Sequence, residues 1–218
     1  LDELNFNPLE NRLILLGDMV NKGPKSHEVL ALAKEYKAHC VRGNHEDILF
    51  QIREKRRKGE INLKSPGLIY QLERSITEKE WTYLESCPLV LQLPTEHGSY
   101  VAVHAAIDYR LPIHEQDPDF AMYIPWLPNL NNPKRKTPSH RNWQNEWEAS
   151  HAQVNQADSD GVTVIYGHDG KKTITESRYS FGIDTNCVSG GRLTAFQAPS
   201  GKFESVDCPN LNMRNGRN

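Results

Sequence analysis

The sequence predicts one α/β domain built on a mixed sheet, and three observations carry that prediction. In the first half, short apolar runs that suit strands alternate with helical patterns, whereas the last third is rich in strand patterns. A length of 218 residues with 37% hydrophobic side chains gives room for one domain with a substantial core. Periodicity alone therefore indicates only an α/β protein, and the order of the patterns is consistent with a mixed sheet that packs on a second sheet, with helices outside.

Strands are expected where apolar runs are bounded by turn-forming residues. They fall at about residues 12–18, 38–42, 89–93, 99–104, 162–167, 179–184, 192–197 and 202–206. Residues 199–201, Pro-Ser-Gly, predict a hairpin turn between the last two strands.

Two segments between these strands carry clear helical signals. Residues 29–36 place apolar side chains on one face behind Pro24 and Ser26. Thr77 and Glu80 have capping-box spacing and predict a helix start ahead of an apolar face. The basic run at residues 53–58 is typical of the solvated C-terminal end of a helix, although it could also contact an extended polyanion.

Residues 107–160 are interrupted by six prolines, and only residues 142–153 show a helical pattern. Trp143 and Trp147 stand four apart and share one face of that helix. Two interpretations are open: the pair forms a lid that stacks on a nucleobase, or it docks onto the core. We expect docking, which is the commoner use of such a pair.

Composition excludes some classes of function. The net charge of −2 argues against nucleic-acid binding driven by overall charge, and no apolar run is long enough to span a membrane. The four cysteines show no Cys-x-x-Cys spacing, so we expect them to form neither a zinc site nor a disulfide framework. These features favour a reducing, cytoplasmic compartment, or a vacuolar or other one if a targeting segment precedes Leu1.

Two sequence blocks point to chemistry. Residues 17–24, Gly-Asp-Met-Val-Asn-Lys-Gly-Pro, and residues 42–47, Arg-Gly-Asn-His-Glu-Asp, each follow an apolar run and open a turn before a helix. Carboxylate, amide and imidazole groups at the ends of neighbouring strands are what a site for a divalent metal and a phosphate requires.

Three later segments continue this arrangement. His104 and His168 each end a strand pattern and precede small residues, and residues 182–187 and 190–195 form a closing block. In this order the five elements resemble the calcineurin-like metallophosphoesterases, most closely the diadenosine-tetraphosphatase-like (ApaH-like) branch of the phosphoprotein-phosphatase family. The resemblance extends from about residue 1 to residue 206.

The resemblance implies a four-layer sandwich of two mixed sheets flanked by helices. It implies two divalent metal ions, of Mn, Zn, Fe or Co, that activate a water for attack on phosphorus. The metal ligands carried over are Asp18 as the bridging carboxylate, Asn44, His104 and His168. His45 matches the general acid that protonates the leaving oxygen, and Lys22 and Asn44 are expected to contact substrate phosphate.

Two positions distinguish the branches of the family. Asn21 stands where protein phosphatases carry an Asp that orients the general acid, and Lys22 stands where they carry a phosphate-binding Arg. Both departures favour the ApaH-like branch. Lys171 and Lys172 are further candidates for phosphate contacts, or simply a solvated turn. Glu46 and Asp47 are expected to bond within the fold, and Arg42 to support its turn.

The family's opening Asp-x-His motif is not found ahead of Asp18. Residues 1–6 suggest the end of a helix, so we expect a chain that lacks its first βα unit, the alternative being genuine loss of one metal site. One metal site would then be complete, and this chain alone would show little turnover. The expected boundaries are a phosphoesterase domain at 1–206, with 107–160 as a variable insert, and a disordered tail at 207–218.

The expected function is metal-dependent hydrolysis of a phosphoanhydride or phosphoester. The expected substrate is a phosphate-containing small molecule or polymer: a dinucleoside polyphosphate, a nucleotide cap or inorganic polyphosphate. The alternatives are a serine/threonine protein phosphatase and, in a different class, an inactive fragment or binding protein with an incomplete metal site.

Overall fold

The computed structural model describes residues 1–61, 67–96, 98–124, 126–129, 132–138, 143–154 and 161–209. The helices in these ranges are α1 (Ser26–Glu35), α2 (Asn44–Arg57), α3 (Leu68–Ser75), α4 (Glu78–Glu85), α5 (Pro118–Tyr123) and α6 (Trp143–Val154). The strands are β1 (Ile14–Leu15), β2 (His39–Cys40), β3 (Val90–Thr95), β4 (Gly98–Val103), β5 (Trp126–Asn129), β6 (Asn132–Pro138), β7 (Val162–Tyr166), β8 (Thr175–Glu176), β9 (Ser180–Gly182), β10 (Arg192–Gln197) and β11 (Lys202–Asp207).

A mixed five-stranded sheet, in the order β3-β4-β7-β9-β8, forms the centre of the fold. β4, β7 and β9 run parallel, and the outer strands β3 and β8 pair antiparallel with their neighbours. The predicted α/β class with a mixed sheet is therefore confirmed. The three parallel strands end at the same edge of the sheet, which places the residues that follow them close together.

One face of this sheet packs against helices α5 and α6. Val101 and Val103 of β4 point to that side with Val164 of β7, and Trp143 and Trp147 of α6 are buried in the same cluster. The Trp147 indole nitrogen also donates to the Tyr179 carbonyl at 3.0 Å. The pair therefore docks onto the core as expected, and the alternative of a lid over a nucleobase is wrong.

The β10–β11 hairpin covers the opposite face. Its Phe196 and Phe203 contact Phe181 of β9, with ring centroids 5.2 and 5.5 Å apart, and Phe196 also meets Tyr100 of β4. The hairpin turn predicted at residues 199–201 is confirmed, since Gly201 N–H donates to the Gln197 carbonyl. The second layer of strands is thus joined to the first by aromatic packing.

A second core lies around the parallel pair β1–β2, where α1, α2 and α4 supply the apolar side chains. Leu30 of α1, Leu49 of α2 and Leu84 of α4 are fully buried there. The predicted capping box is confirmed: Thr77 Oγ1 accepts from Glu80 N–H at 3.3 Å, and Glu80 Oε2 accepts from Thr77 N–H at 2.8 Å. The basic run at residues 53–58 is the C-terminal end of α2, as predicted.

The expectation that the cysteines form no disulfide framework is wrong. Cys40 is bonded to Cys87, and Cys187 to Cys208, so that every cysteine of the chain is paired. The partners are 47 and 21 residues apart, and only the packing of β2 beside α4 and of β11 beside the 182–190 turn brings them together. Cysteine spacing therefore gives no support for a reducing compartment.

The structure departs from the predicted elements at four places. Within residues 107–160, α5 and the β5–β6 hairpin form in addition to α6, although only α6 was expected. The short strand β8 was not predicted, and residues 2–4 form one 3-10 turn in place of a helix end. At the other end, β11 extends to Asp207 and Cys208 is cross-linked, whereas the predicted disorder of residues 210–218 lies outside the described residues.

Across the described ranges, the structure contains no helix that is both long and apolar enough to cross a bilayer.

Candidate functional site

Four turns, each at the carboxyl end of a strand, converge on one point. Asp18 follows β1, Asn44 follows β2, His104 follows β4 directly, and His168 follows β7. The two sheets are tied at this point because the His104 ring donates to the Leu16 carbonyl at 2.6 Å. Parallel strands leave their following residues at a common edge, which is why residues far apart in sequence meet here.

The first two turns cross at close range. A side-chain carbon at Gly17 would lie 2.6 Å from the Gly43 nitrogen and 2.8 Å from His104 Nδ1, and one at Gly43 would overlap the Asp18 carboxylate. Gly17 also has a φ of +84°, which a residue with a side chain rarely adopts. Both glycines are therefore required by the approach of the two turns.

The side-chain atoms of the four turns that could bind a metal ion lie within contact distance of one another. These four residues, Asp18, Asn44, His104 and His168, are called the donor set. His104 Nε2 is 3.0 Å from His168 Nδ1, 3.1 Å from Asn44 Oδ1 and 3.4 Å from Asp18 Oδ1. Asp18, His104 and His168 each offer one ligand atom within 4.8 Å of the others. His104 is buried, His168 is half-buried and Asp18 is exposed, so the site opens to solvent at its carboxylate.

The chemistry of these donors fits a divalent cation. A carbonyl only accepts hydrogen bonds, so His104 Nδ1 must carry the proton that binds Leu16, and a neutral His104 has its lone pair on Nε2. That nitrogen faces an amide oxygen and a carboxylate oxygen, which only accept, and a second imidazole nitrogen whose role is set by its tautomer. A cation with nitrogen and oxygen preference would satisfy all four at once.

Beside the donor set lies His45, which is 6% exposed. Its Nδ1 lies 3.1 Å from the Val20 carbonyl, so Nδ1 is the donor and Nε2 is directed to the other side. Nε2 is 3.7 Å from Asp18 Oδ2. The main chain of Val20 thus orients this ring.

Burial and the neighbouring His104 ring lower the pKa of His168 to about 4. The neutral form is the one that offers a lone pair to a metal ion. His168 also has a φ of +69°, and its turn is secured by Asp184, whose Oδ2 accepts from Gly170 N–H at 2.9 Å. Sequence reasoning did not single out Asp184 as a support of this turn.

The predicted supporting roles near Asn44 are confirmed for two residues. Glu46 is fully buried and accepts hydrogen bonds from the main chain. Asp47 Oδ2 accepts from Gln51 at 2.6 Å and from the Tyr123 hydroxyl at 2.7 Å, which joins α2 to α5. The Arg42 guanidinium lies 4.6 Å from the centre of the Phe50 ring, which packs it beside its turn.

Among the described residues, the lysines predicted to bind phosphate do not contact the donor set. Lys22 is exposed in the turn before α1, and within the described part of the chain no contact joins its side chain to the four donors. Lys171 is paired with Asp169 at 3.0 Å and donates to Thr175, and Lys172 is exposed. This exposure and pairing are typical of a solvated turn, and phosphate contacts by Lys171 and Lys172 stay a prediction.

The chain is similar to known proteins over nearly its whole length. A bis(5'-nucleosyl)-tetraphosphatase PrpE [asymmetrical] of Geobacillus sp. (strain WCH70) is 26% identical over 216 residues, which cover 94% of this chain and 81% of that protein. A serine/threonine-protein phosphatase 1 of Salmonella typhimurium is 27% identical over 108 residues, 48% of this chain and 50% of that protein.

A solved structure supports the same assignment. A crystal structure whose protein has been assigned provisionally as a diadenosine tetraphosphatase matches with a TM-score of 0.72 at 26% identity, covering 95% of this chain and 85% of that one. The family model for calcineurin-like phosphoesterases matches residues 1–172, the part that contains all four converging turns. The chain belongs to the calcineurin-like phosphoesterase family and is a hydrolase.

Proposed function

We propose that this protein hydrolyses a phosphoanhydride bond of a dinucleoside polyphosphate, with nucleotide caps and inorganic polyphosphate as related substrates. One observation carries the proposal: the donor atoms of Asp18, Asn44, His104 and His168 converge beside the ring of His45. The names of the similar proteins support the choice of substrate, since the relative from Geobacillus is a tetraphosphatase.

In this proposal Asp18, Asn44, His104 and His168 hold a divalent ion of Mn, Zn, Fe or Co. When bound, such an ion supplies an acidified water and neutralises charge on the phosphoryl oxygens. Asn44 also stands at the first turn of α2, where backbone N–H groups favour an anion. Lys22 is proposed to reach an outer phosphate as a point charge.

His45 is proposed as the general acid. Its Nδ1–H is committed to the Val20 carbonyl, so any proton passed to the leaving oxygen comes from Nε2. Asp18 Oδ2 lies 3.7 Å from this Nε2. The side chain at position 21 is not needed for this orientation, in keeping with a site that differs from protein phosphatases at Asn21 and Lys22.

The substrate is tested on the complete gene product that contains these 218 residues, in Mn²⁺, Co²⁺ or Zn²⁺. We expect kcat/KM for diadenosine tetraphosphate or inorganic polyphosphate to exceed that for a phosphoserine peptide. A tenfold preference for the peptide, about 1.4 kcal/mol in transition-state binding, would overturn the proposal in favour of a protein phosphatase.

Two variants separate the roles of the site residues in the same product. Asp18→Asn should remove metal and turnover together, because it removes the charged ligand. His45→Asn should keep the metal and lose rate by about 10²- to 10⁴-fold. Metal content by elemental analysis and turnover are measured for both, and equal loss of metal in the two variants would contradict this division of roles.

A further inference from the structure

The carboxylate of Glu46 is fully buried beside the donor set but takes no part in it. Its Oε2 accepts from Asp18 N–H at 2.8 Å and from Gly43 N–H at 2.9 Å, and its Oε1 accepts from Met19 N–H at 2.8 Å. One side chain therefore holds three backbone donors that belong to two different turns.

Only one of these three bonds belongs to ordinary helix capping. Glu46 is the third residue of α2, and the bond from Gly43 N–H is what a capping residue makes at that position. The bonds from Asp18 and Met19 span 28 and 27 residues of sequence and do nothing for α2. Capping therefore leaves two of the three bonds unexplained.

The turn that donates those two bonds, at Asp18 and Met19, has an unfavourable backbone conformation. Asp18 has a φ of +54°, a left-handed conformation that is unfavourable for a residue with a side chain and persists only when its surroundings hold it. The side chain of Asp18 is fixed from the same helix, because His45 N–H donates to its Oδ1 at 3.1 Å. Asp18 is thus held through its main chain by Glu46 and through its carboxylate by the start of α2.

We propose that Glu46 is a positioning residue for metal binding, which clamps the Asp18 turn to the Asn44 turn so that both ligands face one ion. This inference rests on the proposed function, since it assigns a task within the same site. It gives the buried carboxylate a role beyond fold stability: without the clamp, the two ligands lose their fixed spacing before any ion binds.

The test compares Glu46→Gln and Glu46→Ala with Asp47→Asn as a matched control. Asp47 is the neighbouring carboxylate on α2, but its bonds go to Gln51 and Tyr123 and not to either turn. A glutamine at 46 replaces one oxygen by an NH₂ group and must lose at least one of the three bonds. We expect Mn²⁺ to bind about 10-fold more weakly to Glu46→Gln by calorimetry, and more weakly still to Glu46→Ala, while Asp47→Asn stays within about twofold.

Hydrogen exchange of the metal-free protein gives a second readout. In Glu46→Gln the N–H groups of Asp18, Met19 and Gly43 should exchange at least about 10-fold faster, with amides of β4 and β7 unchanged. If Mn²⁺ affinity is unaltered in folded Glu46 variants while only their melting temperature falls, Glu46 is a capping residue alone and the inference is overturned. Failure of the wild-type protein to bind Mn²⁺ would instead overturn the proposed function, and the exchange rates alone would then decide whether Glu46 joins the two turns.

Discussion

At the scale of single residues, the site is controlled by main-chain contacts that select one form of each histidine. The Leu16 carbonyl accepts a hydrogen bond from His104 Nδ1–H, and the Val20 carbonyl accepts one from His45 Nδ1–H. Each ring therefore presents Nε2 to the site, either as a lone pair or as a proton donor. The identity of these residues is visible in the sequence, but the carbonyls that orient them are not.

His168 leads to a prediction about pH. In the folded protein its pKa is about 4 because of burial and the adjacent His104, whereas an unfolded histidine has a pKa near 6.5. As the pH falls, the unfolded state binds a proton at His168 before the folded state does. The contribution of His168 to the unfolding free energy is therefore fully present above pH 6.5 and is lost as the pH falls towards 4. Between pH 7 and pH 5 the metal-free protein should lose about 2 kcal/mol of unfolding free energy from this residue.

Urea unfolding in the presence of EDTA at the two pH values measures this loss. The variant His168→Gln serves as the control, because it has no group to titrate in this range and should show a smaller difference between pH 7 and pH 5. An equal difference in the two proteins would show that His168 is not responsible.

At the scale of elements, a local capping signal predicted the start of helix α4, whereas a capped helix, α5, was not predicted. Helix α4 begins at the residue after Thr77, and its Trp81 and Leu84 enter the core as the apolar pattern indicates. Helix α5 was missed although its signal was present: Asp117 caps it by accepting from Phe120 N–H at 3.0 Å, and Pro118 occupies its first position.

The capping box of α4 leads to a prediction about stability. Thr77→Ala removes the hydroxyl that accepts from Glu80 N–H and donates to Glu80 Oε2 at 2.8 Å. We expect a loss of about 1 kcal/mol in unfolding free energy. Thr82→Ala is the matched control, since Thr82 lies within the same helix and its hydroxyl donates to the Glu78 carbonyl of that helix, away from the cap. Chemical denaturation should find the control within about 0.5 kcal/mol of the wild type, and equal losses in both variants would contradict the role of the cap.

At the scale of the whole molecule, two cores and two disulfides connect distant segments. The parallel β1–β2 pair and its helices form one core, and the five-stranded sheet with α5 and α6 forms the other. The donor set lies where the strands of both sheets end. Cys40–Cys87 joins β2 to the segment after α4, and Cys187–Cys208 joins the end of β11 to the turn that follows Asp184.

The disulfides lead to a prediction that can be tested by mass spectrometry. Alkylation of the denatured, non-reduced protein should add no groups, and alkylation after reduction should add four. The variant Cys187→Ala/Cys208→Ala should lose about 3 kcal/mol of unfolding free energy, because the disulfide that it lacks closes a loop between residues 21 positions apart. Free thiols in the non-reduced protein would contradict the pairing and restore the argument for a reducing compartment.

The sequence by itself determined the fold class, most strands and the capped helix α4, because these depend on apolar periodicity and on turn residues next to one another in the chain. Its resemblance to the calcineurin-like metallophosphoesterases supplied the proposed set Asp18, Asn44, His45, His104 and His168. Only the tertiary structure decided the disulfide pairing, the docking of Trp143 and Trp147, and the bonds from Glu46 and Asp184 to the ligand turns. Each of these joins residues that are distant in sequence, and their distance in space depends on how the sheets and helices pack, which no local pattern contains.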